Sequence, residues 1–468
     1  MPICPRALWR PSLLLAAWWL PVTIWAAAPA SSHERIDLTP HLVADDLAQV
    51  TAEVNMGGTL RVPPKDVSAS QPQELPTSVN TTLRYDECRF APSAGGRPTR
   101  SARYYAQAEV VIKVDNDGQT QKLADERRLI LVANPGGRLL MSSPGGPLLR
   151  EELDMIDAFG DSLIVDGLLP TQPVADGETW NNDAAVLAGL LSLDSVANCD
   201  VQSVLDKYNA DFAISKMEGT VVGTFDGAAT EMEVKGVYMY DRKLGRVTRL
   251  NLAVKEKRAI GGATRGLEGV AKLKMSIQPI ANSEHLPPAV LAPLRGQTGS
   301  PSADALQFDG AQQGFRLLHD RKWFVTNKER ETTTLRRVEQ DNVVAQCTIA
   351  SLPTKSAGHQ TTLDEFIQDI RVTLKDNFGQ LVSSRQWTNS HGHHCLEAVV
   401  RGKADDVPVE WHYYMVAPES GNRVSVAFTI DGEMVDRLAG ADRSLVNALE
   451  LVPVAKHVAS APPAAPAK

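Results

Sequence analysis

Residues 212–258 read FAISKMEGTVVGTFDGAATEMEVKGVYMYDRKLGRVTRLNLAVKEKR, and their pattern decides the fold. Phe212 to Phe225 is a strand-like run closed by Asp226-Gly227. Met232, Val234, Tyr238 and Tyr240 then occupy every second position. A second turn, Asp241 to Gly245, leads into Leu250, Leu252 and Val254. In a strand successive side chains point to opposite faces, so a period of two puts the apolar residues on one side. Glu231, Glu233, Lys235, Lys255 and Lys257 fall on the other side as mixed charge, a solvated face rather than a binding patch. The pattern predicts a meander of long antiparallel strands with one buried and one wet face.

The same texture continues upstream. Val50 to Val62 is a strand candidate, and Pro63 to Pro76 is a Pro- and Ser-rich loop. Val79, Thr81, Leu83 and Tyr85 alternate, as do Ala108, Val110, Ile112 and Val114, which run into the hairpin signal Asn116-Asp117-Gly118. Leu129 to Ala133 follows. A helical interlude then interrupts the strands. Leu149, Leu153 and Ile156 are at helical spacing in Pro147–Asp157, Ser162–Leu169 is apolar and stops at Pro170, and Asp183 is placed to cap Ala184–Leu193.

Downstream, residues 282–304 read as an interdomain linker, and the style changes after it. Phe315–Leu318 is a short strand, Trp323 follows a charged turn, and Glu331–Glu339 pairs with Val343–Leu352. Thr362-Leu363-Asp364-Glu365 is a capping box. It opens a helix with Leu363, Phe366, Ile367, Ile370 and Leu374 on one face and Gly379 at its stop. Four strands follow, Leu381–Thr388, His394–Arg401, Val409–Val416 and Arg423–Thr429, then two short helices near Glu433–Leu438 and Asp442–Leu451. From residue 453 the chain is a Pro- and Ala-rich tail.

This order of elements, carried by Gly314-Phe315-Arg316-Leu317 with Trp323, by Ser420 to Val426 and by the apolar helix around Leu445 and Leu449, resembles the PsbP-like fold. The resemblance covers about a third of the chain. It implies an antiparallel sheet flanked by helices and a binding or assembly role rather than catalysis. Residues 29–281, with Leu168-Leu169-Pro170 and Gly177-Glu178-Thr179-Trp180, resemble uncharacterised secreted bacterial β-rich proteins. Their long strands with an inserted helical cover are also similar to the half-barrel lipoprotein carriers of the bacterial envelope. The expected fold class is therefore α+β. It has a β-rich N-terminal domain (29–281) built on a large curved antiparallel sheet with short helices, and a PsbP-like C-terminal domain (305–452).

Residues 1–28 read as a secretory signal peptide. Arg6 and Arg10 form a positive start, Leu13 to Trp25 is an apolar run shorter than a membrane span, and Ala26-Ala27-Ala28 supplies the small residues of a cleavage site. No other window reaches transmembrane length. The expected location is extracytoplasmic, periplasmic or secreted, after cleavage near Ala28. The 468-residue chain carries a formal charge of −8, and removing Arg6 and Arg10 takes it to −10. That balance excludes broad electrostatic binding of nucleic acid.

Export permits disulfides, and Cys88, Cys199, Cys347 and Cys395 remain after cleavage. One pair per domain gives Cys88–Cys199 and Cys347–Cys395. Strand alternation argues against the second, because it points the two thiols to different faces. The sharpest chemical cluster is His391-Gly392-His393-His394-Cys395. His393, His394 and Cys395 are candidate metal ligands, with Glu397 as a further donor. The acidic run from Glu151 to Asp161 reads as charge in the first turns of a helix, with acid–base work as the alternative. Trp411 and Tyr413 are expected on one face of their strand, His412 and Tyr414 on the other.

No nucleophile elbow, zinc-protease motif, phosphate loop or dinucleotide fingerprint occurs in the sequence. The expectation is an exported, non-catalytic binding or assembly protein of the bacterial cell envelope, with no cofactor and a protein partner. The alternatives are a carrier holding a lipophilic ligand beneath residues 148–193, or a metal-binding protein using the His/Cys cluster.

Overall fold

In the computed structural model, which describes residues 34–41, 43, 45–63, 71–90, 99–135, 138–297, 305–339, 342–356 and 360–453, strands dominate. The expected signal peptide lies outside the described residues, as does the expected tail beyond residue 453. The N-terminal half runs β1 (Asp46–Val62), β2 (Gln73–Arg89), β3 (Arg100–Val114), β4 (Asp117–Lys122), β5 (Leu129–Ala133), β6 (Leu140–Ser142), β7 (Leu148–Leu149), α1 (Arg150–Ile156), β8 (Thr179–Asn181), α2 (Ala184–Leu190), β9 (Ser195–Tyr208), β10 (Phe212–Phe225), β11 (Ala228–Asp241), β12 (Arg246–Arg258) and β13 (Gly266–Pro279). All of these strands except β7 form one antiparallel sheet in the order β6-β5-β3-β2-β1-β13-β12-β11-β10-β9-β8, with β4 also on β3.

The meander has the alternation its sequence dictates. On β11 buried and exposed residues alternate from Ala228 to Val237. Val234 is paired with Val254 inside, while Glu233 is opposite Lys255 outside and bonded to it at 2.8 Å. Asp226 and Gly227, both at positive φ, make the tight turn between β10 and β11 that matches the twist of the strands.

The C-terminal half runs α3 (Pro288–Arg295), β14 (Leu306–Gly310), β15 (Phe315–His319), β16 (Trp323–Lys328), β17 (Thr332–Glu339), β18 (Asn342–Leu352), α4 (Leu363–Leu374), β19 (Phe378–Thr388), β20 (His394–Ala404), β21 (Val407–Ala417), β22 (Arg423–Asp431), α5 (Val435–Leu438), α6 (Ala441–Asn447) and β23 (Leu449–Leu451). Its main sheet has the order β16-β17-β18-β22-β21-β20-β19. The capping box holds, with Thr362 accepting from Glu365 N–H and Glu365 accepting from Thr362 N–H. Through it α4 lays Phe366, Ile370 and Leu374 on Leu396, Ala398, Val400 and Trp411, covering the β19–β21 part of one sheet face. On the other face Trp323, Cys347, Tyr414 and Phe428 pack under α5, α6, β15 and β23.

Several expectations change. The described part of the 282–304 linker contains α3, which opens on Pro287-Pro288 and packs Leu286, Leu291 and Leu294 on Cys88, Phe90 and Ala102 outside β2 and β3. A Pro-rich stretch read as a linker folds because prolines suit a helix start and its leucines find an apolar surface. The domain border is also crossed. Leu148 and Leu149 pair in parallel with Leu306 and Gln307, so β7 adds a strand to the small sheet β23-β15-β14-β7. Ser162–Leu169 forms a short 3-10 turn rather than a helix. α4 stops at Leu374, where Lys375 takes φ 48°, and Gly379 belongs to β19.

All four thiols are free. Cys88 packs outside the large sheet under α3, whereas Cys199 borders the core on its inner face. Cys347 and Cys395 share one core, contrary to the expectation of opposite faces. Helix α4 makes both faces of β20 apolar, so alternation of polarity no longer marks the inside. What separates the two thiols is distance across the sheet. β22 and β21 stand between β18 and β20, about 14 Å at normal strand spacing, well beyond disulfide reach.

Candidate functional site

The apolar face of the large sheet is occupied by the chain's own insert. Leu153, Ile156, Leu168, Leu187, Leu190 and Leu191 are buried against Val50, Tyr85, Val221, Val234, Leu250 and Leu273. The space in which a carrier would hold an acyl chain beneath residues 148–193 is filled by these side chains.

The insert is pinned by charge as well as by apolar contact. Arg103 donates from Nε to Glu87 and from both terminal nitrogens to Asp161, all at 2.7–2.8 Å. Arg89 bonds Glu87, Asp166 and the Ser162 carbonyl, and Ser162 Oγ lies 2.9 Å from Tyr85 Oη. All these side chains are sealed from water. Burial alone would raise the Glu87 carboxyl, but the guanidiniums of Arg103 and Arg89 outweigh it and bring the pKa down to about 2. Asp161 and Asp166 thereby fasten the loop before Leu168-Leu169-Pro170 to strands β2 and β3. The carbonyl of Leu168 in turn accepts from Trp180 Nε1 and Tyr238 Oη, and Asp166 accepts from Val247 N–H.

Open space lies elsewhere. A cleft of about 1260 Å³ separates the end of the large sheet from the C-terminal sheet. One wall comes from the ends of β1 and β4, the 261–265 loop and α1. The other comes from β14 and the part of the C-terminal sheet that α4 leaves uncovered, with Phe324, Thr334, Arg336 and Gln346 facing in. Arg150, first residue of α1, ties the walls together. Its Nη2 donates to the Arg321 carbonyl at 2.6 Å, and its guanidinium lies 4.5 Å from the Phe324 ring centre. Arg321 donates to the Met141 carbonyl and Arg336 to the Gly262 carbonyl, so guanidinium-to-carbonyl bonds cross the gap in both directions.

The cleft is polar. Burial raises the carboxyl of Asp154, Arg150 partly offsets this, and the rise is tempered by water that reaches 58% of the side chain. Burial also pushes His319 down to about 4, leaving a neutral ring whose Nδ1 lies 2.8 Å from the Asp320 carbonyl. The acidic run is divided among structural tasks. Glu152 accepts from Ala124 N–H, Leu149 N–H and Arg127, and Asp161 belongs to the buried network.

The His/Cys cluster is not drawn together. His393 Nε2 accepts the Leu451 N–H at 3.1 Å, Cys395 is buried in the core, and Glu397 is held by Arg385, Arg443 and Tyr414. His394 opens β20, paired with Thr388 and Ala417. Among the described residues no three His, Cys, Asp or Glu side chains gather closely enough to hold a metal ion. His393, His394 and Cys395 therefore act in the hairpin and core. The competing demand is backbone satisfaction, since the Leu451 N–H in β23 needs an acceptor.

His412 and Tyr414 do share a face, away from Trp411 and Tyr413. His412 Nδ1 is 2.5 Å from Asp442 and Nε2 is 2.8 Å from Glu410, while Tyr414 Oη bonds Glu397 and Asp442. This network docks α6 onto β21. Neither it nor the Glu87–Arg103 network was singled out from the sequence. The available signal was charged residues continuing an inward-facing row, as Glu87 and Arg89 continue Leu83 and Tyr85.

No protein family and no curated protein matches the chain by sequence. Solved structures do match by shape. Cyanobacterial PsbP from Synechocystis sp. PCC 6803 is 12% identical, with a TM-score of 0.25, over 34% of this chain and 99% of that one. The Saccharomyces cerevisiae Ran-binding protein Mog1p is 7% identical, with a TM-score of 0.25, over 32% of this chain and 96% of that one. Lipovitellin is 6% identical, with a TM-score of 0.27, over 52% of this chain and 26% of that one. These likenesses concern the course of the chain and not its activity. No helix among the described residues is long and apolar enough to cross a membrane.

Proposed function

We propose that the chain is an exported, non-catalytic binding or assembly protein of the cell envelope, and that it holds a protein partner in the cleft between its two sheets. The observation that carries this reading is the contrast between a sheet face covered by the chain's own insert and an open polar cleft lined from both halves of the chain. Export rests on the signal-like segment 1–28. The lipid-carrier alternative has no room beneath residues 148–193, and the His/Cys metal alternative has no gathered ligand set among the described residues.

Site-specific photo-crosslinking in the native host tests the reading. A photoreactive residue at Thr326, inside the cleft, is expected to trap one discrete partner. The same residue at Val382, exposed on β19, serves as the control. No adduct at position 326, or the same adduct from both positions, removes the cleft as the binding site. Turnover of a generic substrate at enzyme-like rates by the purified chain would refute the non-catalytic part.

A further inference from the structure

We propose that the cleft receives one extended segment of a partner polypeptide, which adds as a strand to the free edge of β16 and carries acidic and apolar side chains in alternation. This rests on the cleft being the binding site and specifies what enters it.

Edge geometry is the first support. β16 is the terminal strand of its sheet and pairs with β17 alone among the described residues. All six of its residues, Trp323 to Lys328, line the cleft, whereas β17 and β18 contribute only Thr334, Arg336 and Gln346. Side chains alternate in direction along a strand, so a cavity lying over one face touches every second residue. Contact with six in succession means that the cavity runs along the edge, where N–H and C=O groups point outward. The N–H and carbonyl of Trp323 are already taken, by the Asp320 carbonyl and by Arg150 Nη2, so the free part of the edge begins at Val325. Such an edge is a template for another strand, and proteins blunt it unless it is used. Here the shift in register between Val325 and Asn327 and the terminal Lys328 limit the edge to a short run. The N-terminal wall further restricts entry to a single strand rather than a sheet.

Charge and apolar contact supply the second support. Lys328, Arg336 and Arg265 line the cleft, and among the described residues none is ion-paired with a carboxylate. The cleft's own carboxylates stand apart from β16, with Glu151, Glu152 and Asp154 on α1 and Asp226 at the β10–β11 turn, while Asp309 on β14 is paired with Arg316. An incoming acidic side chain on the Phe324 face would lie in the row that continues through Arg336 and Gln346. On the opposite face Val325 is 37% exposed and offers an apolar contact. One residue of each kind, alternating, is what a strand presents to two such faces.

The test selects short random linear peptides on the immobilised full chain and resynthesises the best binder in two forms, N-methylated at alternate amides in either register. Strand addition uses only one set of amides. One form should lose about ten-fold or more in affinity and the other should stay close to the parent. Lys328→Glu should weaken the parent peptide several-fold. Failure to enrich any peptide, equal affinity of the two methylated forms, or a binder rich in basic residues would overturn the proposal. A crosslink at position 326 combined with equal methylated forms would sink strand addition while leaving the cleft as the binding site.

Discussion

Nε of Arg103 donates to Glu87 at 2.8 Å inside a layer from which both side chains are shut off from solvent. The pair joins adjacent strands and, through Asp161, holds the insert that fills the sheet. Removing one charge leaves the others buried and uncompensated. Glu87→Gln is expected to cost about 3–5 kcal/mol of stability. A urea midpoint that does not move would refute this.

The same carboxyl sets an acid limit. Its folded-state pKa is depressed from 4.5 to about 2, so its contribution is complete above the usual carboxyl range and fades as pH falls from 4.5 towards 2. Stability measured across that window should fall with acid in the parent and fall less steeply in Glu87→Gln. Parallel curves would contradict the assignment.

His412 has the opposite sign. Burial by itself would lower its pKa, but hydrogen bonds to Asp442 and Glu410 outweigh that and raise it above 6.5. Both ring nitrogens face carboxylates, which only the imidazolium satisfies. Its contribution is complete below about pH 6.5 and is lost as pH rises through the elevated value. The melting temperature should therefore drop from mildly acid to alkaline pH, and His412→Gln should remove that slope. A slope that survives the substitution assigns it to other groups.

Leu190 is fully buried where α2 meets the large sheet. Leu190→Ala should cost about 2–5 kcal/mol, the transfer of its methyl groups plus the hole left behind. A loss under about 1 kcal/mol would mean that the insert is loosely packed on the large sheet.

Cys347 and Cys395 lie in one core with two strands between them. Peptide mapping of the purified protein without reductant should find both as free thiols. A 347–395 linkage would require a different strand order.

Legibility followed locality. The 212–258 meander, the Asp226-Gly227 turn, the Asp183 cap and the Thr362–Glu365 box are each decided within a few residues, and each could be read. α3 could not, because its leucines find their apolar partners in Phe90 and Cys88, more than two hundred positions away. The face of Cys395 was misjudged for a related reason, since α4 supplies an apolar partner that polarity alternation along β20 does not announce. The cleft was invisible, because it belongs to surfaces that meet only after folding.

By itself the sequence determined most of the strands and the buried side of those with one wet face, because backbone geometry converts a period of two into a face. Tertiary structure decided the rest. It packed residues 153–191 on the apolar face of the large sheet, set His393 against the Leu451 N–H and Cys395 in the core, and left a cleft beside the Arg150 tie. Those outcomes depend on which distant groups compete for the same space, hydrogen bonds and counter-charges, and a linear pattern does not record that competition.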